Sequence, residues 1–199
     1  MAAARRGRCV ANASNISFGA LGVGSLAGAV AAGSLYEGCA GGWPTMGNLT
    51  ACNAIGAGSN SASSTSRTMT NGGYAIAYNL YSDAAMTKPY DYPGADAFAI
   101  PYSTRSGGYA TTTTYAKILS APAGIAPGTY TDSYAAPTQA WVDFDTWATP
   151  NPQITCGQNQ FYQGVAPSFT VSVTVLASCS VAVGALNFGA ASVLTGNVD

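Results

Sequence analysis

One pair of carboxylates in this chain has the spacing that catalysis could use. Asp143 and Asp145 are two positions apart, so on a β-strand they would share a face with their carboxyl groups roughly 6–7 Å apart. A glycosidase could use such a pair, but the sequence has no histidine, which removes the most common general base and any Ser-His-Asp triad. Trp141 and Phe144 flank the pair, and no other acidic residue lies nearby. We therefore interpret both aspartates as solvated edge residues and predict that the protein is not an enzyme.

The five cysteines are the other residues with distinctive chemistry. They are Cys9, Cys39, Cys52, Cys156 and Cys179, and none forms a CxxC motif. Without histidine or a carboxylate cluster beside them, a zinc site is not expected, and we predict neither a metal nor another cofactor. Wide spacing in a chain rich in Thr, Gly and Tyr is typical of disulfides formed in an oxidising compartment. Four cysteines can pair in three ways, and one is left over.

The charge content excludes one further class of function. Only 8% of the residues are charged, and the net charge is −1. Polarity comes from Ser, Thr, Asn and Gln instead. The short basic run at Arg5–Arg8 is too small for a nucleic-acid footprint, so we predict that nucleic acid is not a partner.

The segment Ile16–Leu35 is uncharged over 20 residues, and a membrane helix or signal sequence is one interpretation of it. Its five glycines and its serines make it weakly apolar and lower its helix propensity. We therefore do not favour either interpretation, and if the protein is exported we expect its true signal peptide to be missing from this sequence.

Alternating apolar residues define the predicted elements that position these groups. Tyr74–Tyr81 places Tyr74, Ile76, Tyr78 and Leu80 on one face. Tyr109–Leu119 is rich in threonine and aromatic residues, as strands are. Phe169–Leu176 alternates most cleanly, with Phe169, Val171, Val173 and Val175 on one face. Many short strands and regular turn signals predict an all-β sandwich.

One motif occurs twice, and with other segments it resembles a known family. Cys9–Ala20 and Cys179–Ala190 both read Cys, eight residues, Phe-Gly-Ala. Between them lie LTAC (Leu49–Cys52), RTM (Arg67–Met69), YNLYSDA (Tyr78–Ala84), Tyr115–Ile118 and PGTYTD (Pro127–Asp132). From Cys9 to about Phe144 this order resembles the spore coat protein U domain, the subunit of archaic chaperone–usher pili. The sequence departs from the family at Ala116, where glycine is usual, and in an insertion over Glu37–Met46.

The resemblance implies an immunoglobulin-like β-sandwich of the pilin type, completed by a donor-type strand. Members of this family lack their last strand, and a chaperone and then a neighbouring subunit fill the groove that it leaves. The alternating side chains Phe169, Val171, Val173 and Val175 have the form of such a donor strand. We expect residues 1–176 to form one domain, completed near 168–176, and 177–199 to begin a second, truncated domain, as in a two-domain tip adhesin.

The resemblance also implies a disulfide pairing. The family pattern joins the cysteine before Phe-Gly to the cysteine that ends the second strand, which gives Cys9–Cys52. Cys39–Cys156 is then the remaining pair, tying the insertion to a late connection, and Cys179 would lack its partner. Asp132 is expected to be a hydrogen-bonding group at a turn or strand end.

Aromatic loops are the candidate adhesive surface. Seven side chains are proposed for it: Trp43, Met46, Tyr90, Tyr92, Phe98, Ile100 and Tyr102. Exposed apolar loops at the end of a rigid sandwich suit surface attachment, although we expect about half of these side chains to be buried in the core.

The predicted function is that of a non-enzymatic pilus subunit or tip adhesin that acts in surface attachment and biofilm formation. Its expected partners are a periplasmic pilus chaperone, an outer-membrane usher and other pilin subunits, and its expected location is the cell surface. The alternative is a secreted carbohydrate-binding β-sandwich module.

Overall fold

The computed structural model describes residues 8–41, 48–91, 96–101, 105–135, 139–147, 156 and 165–177. These residues include eleven strands and one short 3-10 helix at Val23–Ser25. The strands are β1 (Cys9–Ala13), β2 (Ile16–Leu21), β3 (Val30–Cys39), β4 (Asn48–Ile55), β5 (Arg67–Asn71), β6 (Tyr74–Tyr81), β7 (Asp96–Pro101), β8 (Gly108–Ser120), β9 (Gly128–Tyr134), β10 (Ala140–Trp147) and β11 (Phe169–Val175). The all-β prediction is confirmed.

The strands form one large sheet and one small sheet. The large sheet has the order β1-β3-β8-β6-β5-β9-β11-β2, and the small sheet has the order β10-β4-β7. Neighbouring strands are antiparallel except β11 and β2, which are parallel. The large sheet curls until β2 lies against β3, so closely that a Cβ on Gly33 would lie 2.7 Å from Cγ1 of Ile16. This curl encloses most of the core.

The uncharged segment Ile16–Leu35 forms β2, the 3-10 helix and the first part of β3. Gly28 forms a turn just before β3 begins, with φ of +83°. No helix within the described ranges is long and apolar enough to cross a membrane.

Two clusters of buried side chains follow from this arrangement. The larger cluster lies inside the curled sheet and includes Phe18, Met69, Ile76, Leu80, Ile118, Tyr130 and the apolar face of β11. The smaller cluster lies between β1 and β3 on one side and the small sheet on the other, and includes Leu35, Leu49, Ile100, Val142 and Phe144. Of the face predicted for β6, Ile76, Tyr78 and Leu80 are buried, while Tyr74 is 42% exposed because it begins the strand beyond the end of β8.

The disulfides differ from the predicted pairs. Cys9 bonds Cys39, and the two residues are directly opposite in the β1–β3 ladder with Cα atoms 3.9 Å apart. Cys52 lies on β4 in the small sheet and bonds Cys156, with Cα atoms 5.7 Å apart. The predicted pairs Cys9–Cys52 and Cys39–Cys156 are therefore wrong. The physical reason is that Cys39 ends a ten-residue strand paired with β1 and does not lie in a looped insertion. Cys179 lies outside the described residues.

We expect peptide mapping of the oxidised protein to recover Cys9–Cys39 and Cys52–Cys156 peptides. Cys9→Ser with Cys39→Ser should leave the other pair intact and lower the free energy of unfolding by about 4 kcal/mol, the value that the chain-entropy model gives for a loop of this size. Mass spectrometry of a non-reduced digest and urea unfolding measure the two effects. Recovery of a Cys9–Cys52 peptide from the wild-type protein would contradict the assignment.

Candidate functional site

The position of β11 in the large sheet is the feature most relevant to function. It lies between β9 and β2, which do not pair with each other in the strand order of the sheet. With β9 it is antiparallel along its whole length, from Phe169 opposite Tyr134 to Val175 opposite Gly128. With β2 it is parallel, and the register shifts between Ser172 and Thr174. A single strand thus pairs two backbone edges.

The inward face of β11 is apolar and buried. Phe169, Val171, Val173 and Val175 are each at most 6% exposed and belong to the larger core cluster. The ring of Phe169 stacks on Tyr134 with centroids 4.5 Å apart. Because side chains alternate along a strand, every second residue of β11 fills the interior of the curled sheet.

The outward face of β11 is polar and half-buried. Thr174 shares a hydrogen bond of 3.1 Å with Thr129 on β9. At the other end, the Thr170 amide donates to Oδ1 of Asn15, just before β2, at 2.9 Å. These contacts fix the register of β11 against both neighbours. If β11 were absent, β9 and β2 would each present an unpaired edge beside an apolar groove, a surface prone to aggregation.

A buried polar chain lies beneath β9. The Tyr78 hydroxyl donates to Oδ2 of Asp132 at 2.7 Å, and its oxygen lies 2.7 Å from the Tyr134 hydroxyl. Oxygens of the Asp132 carboxylate also accept from the Asn60 amide at 2.9 Å and the Ser61 hydroxyl at 2.6 Å. Asp132 is fully buried in the middle of β9. It is a hydrogen-bonding group, as predicted, although in mid-strand and not at a turn or strand end.

Arg67 begins β5 and interacts with the Tyr134 hydroxyl, at the opposite end of this series of hydrogen bonds from Asp132. Its guanidinium donates to the carbonyls of Gly56 at 3.0 Å, Ile55 at 2.6 Å and Tyr90 at 2.9 Å. Burial raises the pKa of Tyr134 to about 12, although the positive charge of Arg67 acts to lower it. The tyrosine hydroxyls therefore keep their protons and link a buried cation to a buried anion, with each charge satisfied by hydrogen bonds.

The aspartates considered for catalysis lie on β10 in the small sheet. In the backbone ladder Asp143 is opposite Cys52 and Asp145 is opposite Thr50. Their side chains are outside the described residues, so the shared face and the solvated edge position stay predictions. Within the described part of the chain, no group of three or more His, Cys, Asp or Glu residues could hold a metal.

The structure describes two of the seven candidate adhesive side chains. Tyr90 and Ile100 are buried in the core, so for these two the adhesive prediction is wrong. The reason is that Ile100 lies on β7, which pairs with β4 in the small sheet, while the Tyr90 amide donates to the Leu80 carbonyl on β6 and its side chain joins the larger cluster. The side chain of Phe98 lies outside the described residues. So do the residues Trp43, Met46, Tyr92 and Tyr102.

Sequence reasoning missed an exposed aromatic pair on the outer face of the large sheet. Tyr36 on β3 and Tyr109 on β8 are 43% and 41% exposed. Their rings stack with centroids 5.7 Å apart. Both tyrosines stand at outward-facing positions of strands with alternating side chains, and this pattern could have identified each of them. Predicting that the two rings stack also required the β3–β8 register.

Gly58 allows the buried Asp132 carboxylate to be tested. A Cβ at this glycine would lie 2.2 Å from Oδ2 of Asp132, so we expect Gly58→Ala to displace the carboxylate and lower the free energy of unfolding by about 1–3 kcal/mol. Gly73→Ala is the matched control, because a Cβ there meets nothing within 4 Å. Urea unfolding of both variants measures the difference, and equal stability would contradict this account of the carboxylate.

Comparisons with known proteins found a matching family model and a similar solved structure. The model of the Spore Coat Protein U domain matches residues 1–136, which end before β10 and β11. No curated protein sequence matches the chain. Among solved structures, the chain is similar to the CupB6 tip adhesin from Pseudomonas aeruginosa, with 7% sequence identity and a TM-score of 0.45.

That similarity covers 86% of this chain and 43% of the adhesin. The chain therefore spans less than half the length of that protein. The family model covers more than half of the residues, and the protein belongs to the Spore Coat Protein U domain family.

Proposed function

We propose that the protein is a non-enzymatic structural subunit or tip adhesin of a chaperone–usher type pilus. It assembles by donor-strand complementation, in which an extended segment completes an unfinished sandwich. The observation that carries the proposal is the position of β11, whose four inward side chains are buried and whose backbone pairs with both β9 and β2.

In this chain the completing strand comes from within the same polypeptide. β11 follows β10 through a connection that includes Cys156 and a backbone bridge between Val142 and Val165. We propose that residues 168–176 complete the first domain in cis and that 177–199 begin a second domain of the same type. A domain completed by its own chain has no open groove for a neighbour's strand, which suits a subunit at the tip.

The cost of leaving the groove empty explains the proposed partners. Burying a Val or Phe side chain is worth about 1.5–3 kcal/mol, so the four inward residues of β11 together match the net stability of a typical domain, about 5–15 kcal/mol. The second domain that we propose begins at residue 177 would, like other pilin domains, have such a groove. We propose that a periplasmic chaperone holds it until an outer-membrane usher joins it to other pilin subunits. The proposed location is the cell surface, reached through the periplasm, with a role in attachment and biofilm formation.

A chain that ends at Pro167 tests this proposal. We expect a peptide with the sequence of Phe169–Leu176 to raise the melting temperature of that shortened chain, because the peptide restores both backbone ladders and the buried side chains. The control is the same peptide with aspartate in place of Val171 and Val173, which should have no effect. Thermal unfolding monitored by circular dichroism measures the shift.

The result is informative in both directions. If the shortened chain, with no peptide added, were as stable as the full chain, the fold would not depend on β11. Donor-strand completion would then be rejected. The full chain with Val171→Asp and Val173→Asp provides an independent check, since it should lose cooperative unfolding, whereas Ser172→Ala should not.

A secreted carbohydrate-binding module is the second candidate, and the exposed pair Tyr36 and Tyr109 favours it. Thr111, also exposed, is opposite Tyr36 in the β3–β8 ladder, so the aromatic pair lies beside a hydroxyl group. Tyrosine rings with nearby hydroxyls suit the apolar and polar faces of a neutral sugar.

This alternative predicts saturable sugar binding by the monomer with no chaperone present. A carbohydrate array probed with the full chain should show binding that Tyr36→Ala reduces at least tenfold, while Tyr74→Ala, a control at the far end of the sheet, leaves it unchanged. A blank array would reject the module, and binding that survives Tyr36→Ala would place the sugar elsewhere.

A further inference from the structure

Glu37 is the only glutamate in the sequence, and its side chain is fully buried. It lies on β3 and faces Asn53 on β4, so the two residues belong to opposite sheets. The Asn53 amide nitrogen donates to Oε1 of Glu37 at 3.1 Å, and the Thr112 hydroxyl donates to the same oxygen at 3.3 Å. One carboxylate oxygen thus has two donors.

The remaining oxygen of each side chain in this contact accepts no hydrogen bond from a described N–H or hydroxyl group. Oε2 of Glu37 and Oδ1 of Asn53 are both buried, and neither has a hydrogen-bond partner. Buried acceptors without partners are rare because they lose their hydration without compensation. These two belong to side chains that are already joined through their other atoms, so one proton between them would satisfy both.

We propose that Glu37 is a neutral carboxylic acid whose Oε2 donates to Oδ1 of Asn53, closing an acid–amide pair that joins the two sheets and opens as the pH rises. In this pair each side chain donates once and accepts once. Loss of the proton would leave a buried negative charge facing the carbonyl oxygen of Asn53. The pair is therefore a pH-sensitive joint between β3 and β4.

Burial is the largest influence on the protonation of Glu37. Burial raises the pKa of Glu37 to about 7 from its ordinary value of 4.5, although the hydrogen bonds from Asn53 and Thr112 act to lower it. The titratable or charged residues on the adjoining elements are Arg8 before β1, Tyr36 on β3, Arg105 and Tyr109 at the start of β8, Asp96 on β7 and Asp143 on β10. Asp96 is opposite Asn53 in the β4–β7 ladder, and Asp143 is opposite Cys52.

The sign of the pH dependence follows from the raised pKa. Below pH 4.5 the glutamate is protonated in both the folded and the unfolded chain, so the contribution of the pair to stability is fully present. Between 4.5 and about 7 only the unfolded chain releases the proton, and stability falls. Above about 7 both forms are ionised and the loss is complete. Across this window we expect the unfolding equilibrium constant to rise on the order of 100-fold from this group.

Glu37→Gln is the matched test, because the glutamine amide reproduces the shape and the donor of the neutral acid. We expect this variant to match the wild type near pH 4.5 and to exceed its stability at pH 8, measured by urea unfolding with the disulfides intact. Asp96→Asn and Asp143→Asn should keep the wild-type pH dependence. If Glu37→Gln kept it as well, or if Asp96→Asn removed it, the assignment to Glu37 would be overturned.

A second measurement does not depend on how a variant folds. Because the sequence has a single glutamate, a sample labelled with ¹³C only in glutamate gives one carboxyl resonance. We expect that resonance of the folded wild-type protein to titrate with a midpoint near 7, as its raised pKa requires. A midpoint at the ordinary value for glutamate, or an ionised signal throughout the titration, would reject the proposal.

Discussion

The fold depends on the pairing of two backbone edges by a single strand. β9 and β2 approach each other across a gap one strand wide, and β11 fills it with hydrogen bonds on both sides. Because unpaired backbone groups and apolar side chains are both costly to expose, this position cannot remain empty in a stable domain. The curl of the large sheet, the enclosed core and the packing of Tyr134 against Phe169 all require an occupant there.

Three of the acidic and basic side chains in this chain lie in the interior. Glu37, Arg67 and Asp132 are all buried, although only 8% of the residues are charged. Arg67 donates to backbone carbonyls and acts on the Tyr134 hydroxyl, while Asp132 accepts from Tyr78, which shares a hydrogen bond with Tyr134. Hydrogen bonds therefore compensate both ions for their lost hydration. Such networks specify one arrangement of strands, because a shifted register would leave a buried ion without partners. Here Arg67 holds the end of β4 and Tyr90, while Asp132 holds the loop that carries Asn60 and Ser61.

Sequence reasoning was most accurate where a local pattern decides the outcome. The strict alternation of Phe169–Val175 predicts a half-buried strand, and the structure has one there. The disulfide partners could not be predicted in this way, because the choice between Cys39 and Cys52 for Cys9 depends on the long-range register of β1 with β3. The same limit applies to Ile100, whose burial depends on β7 joining the small sheet, and to Tyr90, whose burial depends on its contact with β6 in the large sheet. The contact between Glu37 and Asn53 joins two sheets, and no spacing in the sequence predicts it.

The direction of β11 has a mechanical consequence. Its hydrogen bonds to β9 and β2 run across the strand axis, and the chain leaves β11 at Val175 toward Ala177. Tension applied there, along the strand axis, loads all of these bonds at the same time. The strand can then move only by sliding past both neighbours, which requires the bonds to break together. The buried side chains of Phe169, Val171 and Val173 pack in the core and oppose that sliding. A domain closed in this geometry resists a longitudinal pull far better than one whose last strand can be peeled away from an end.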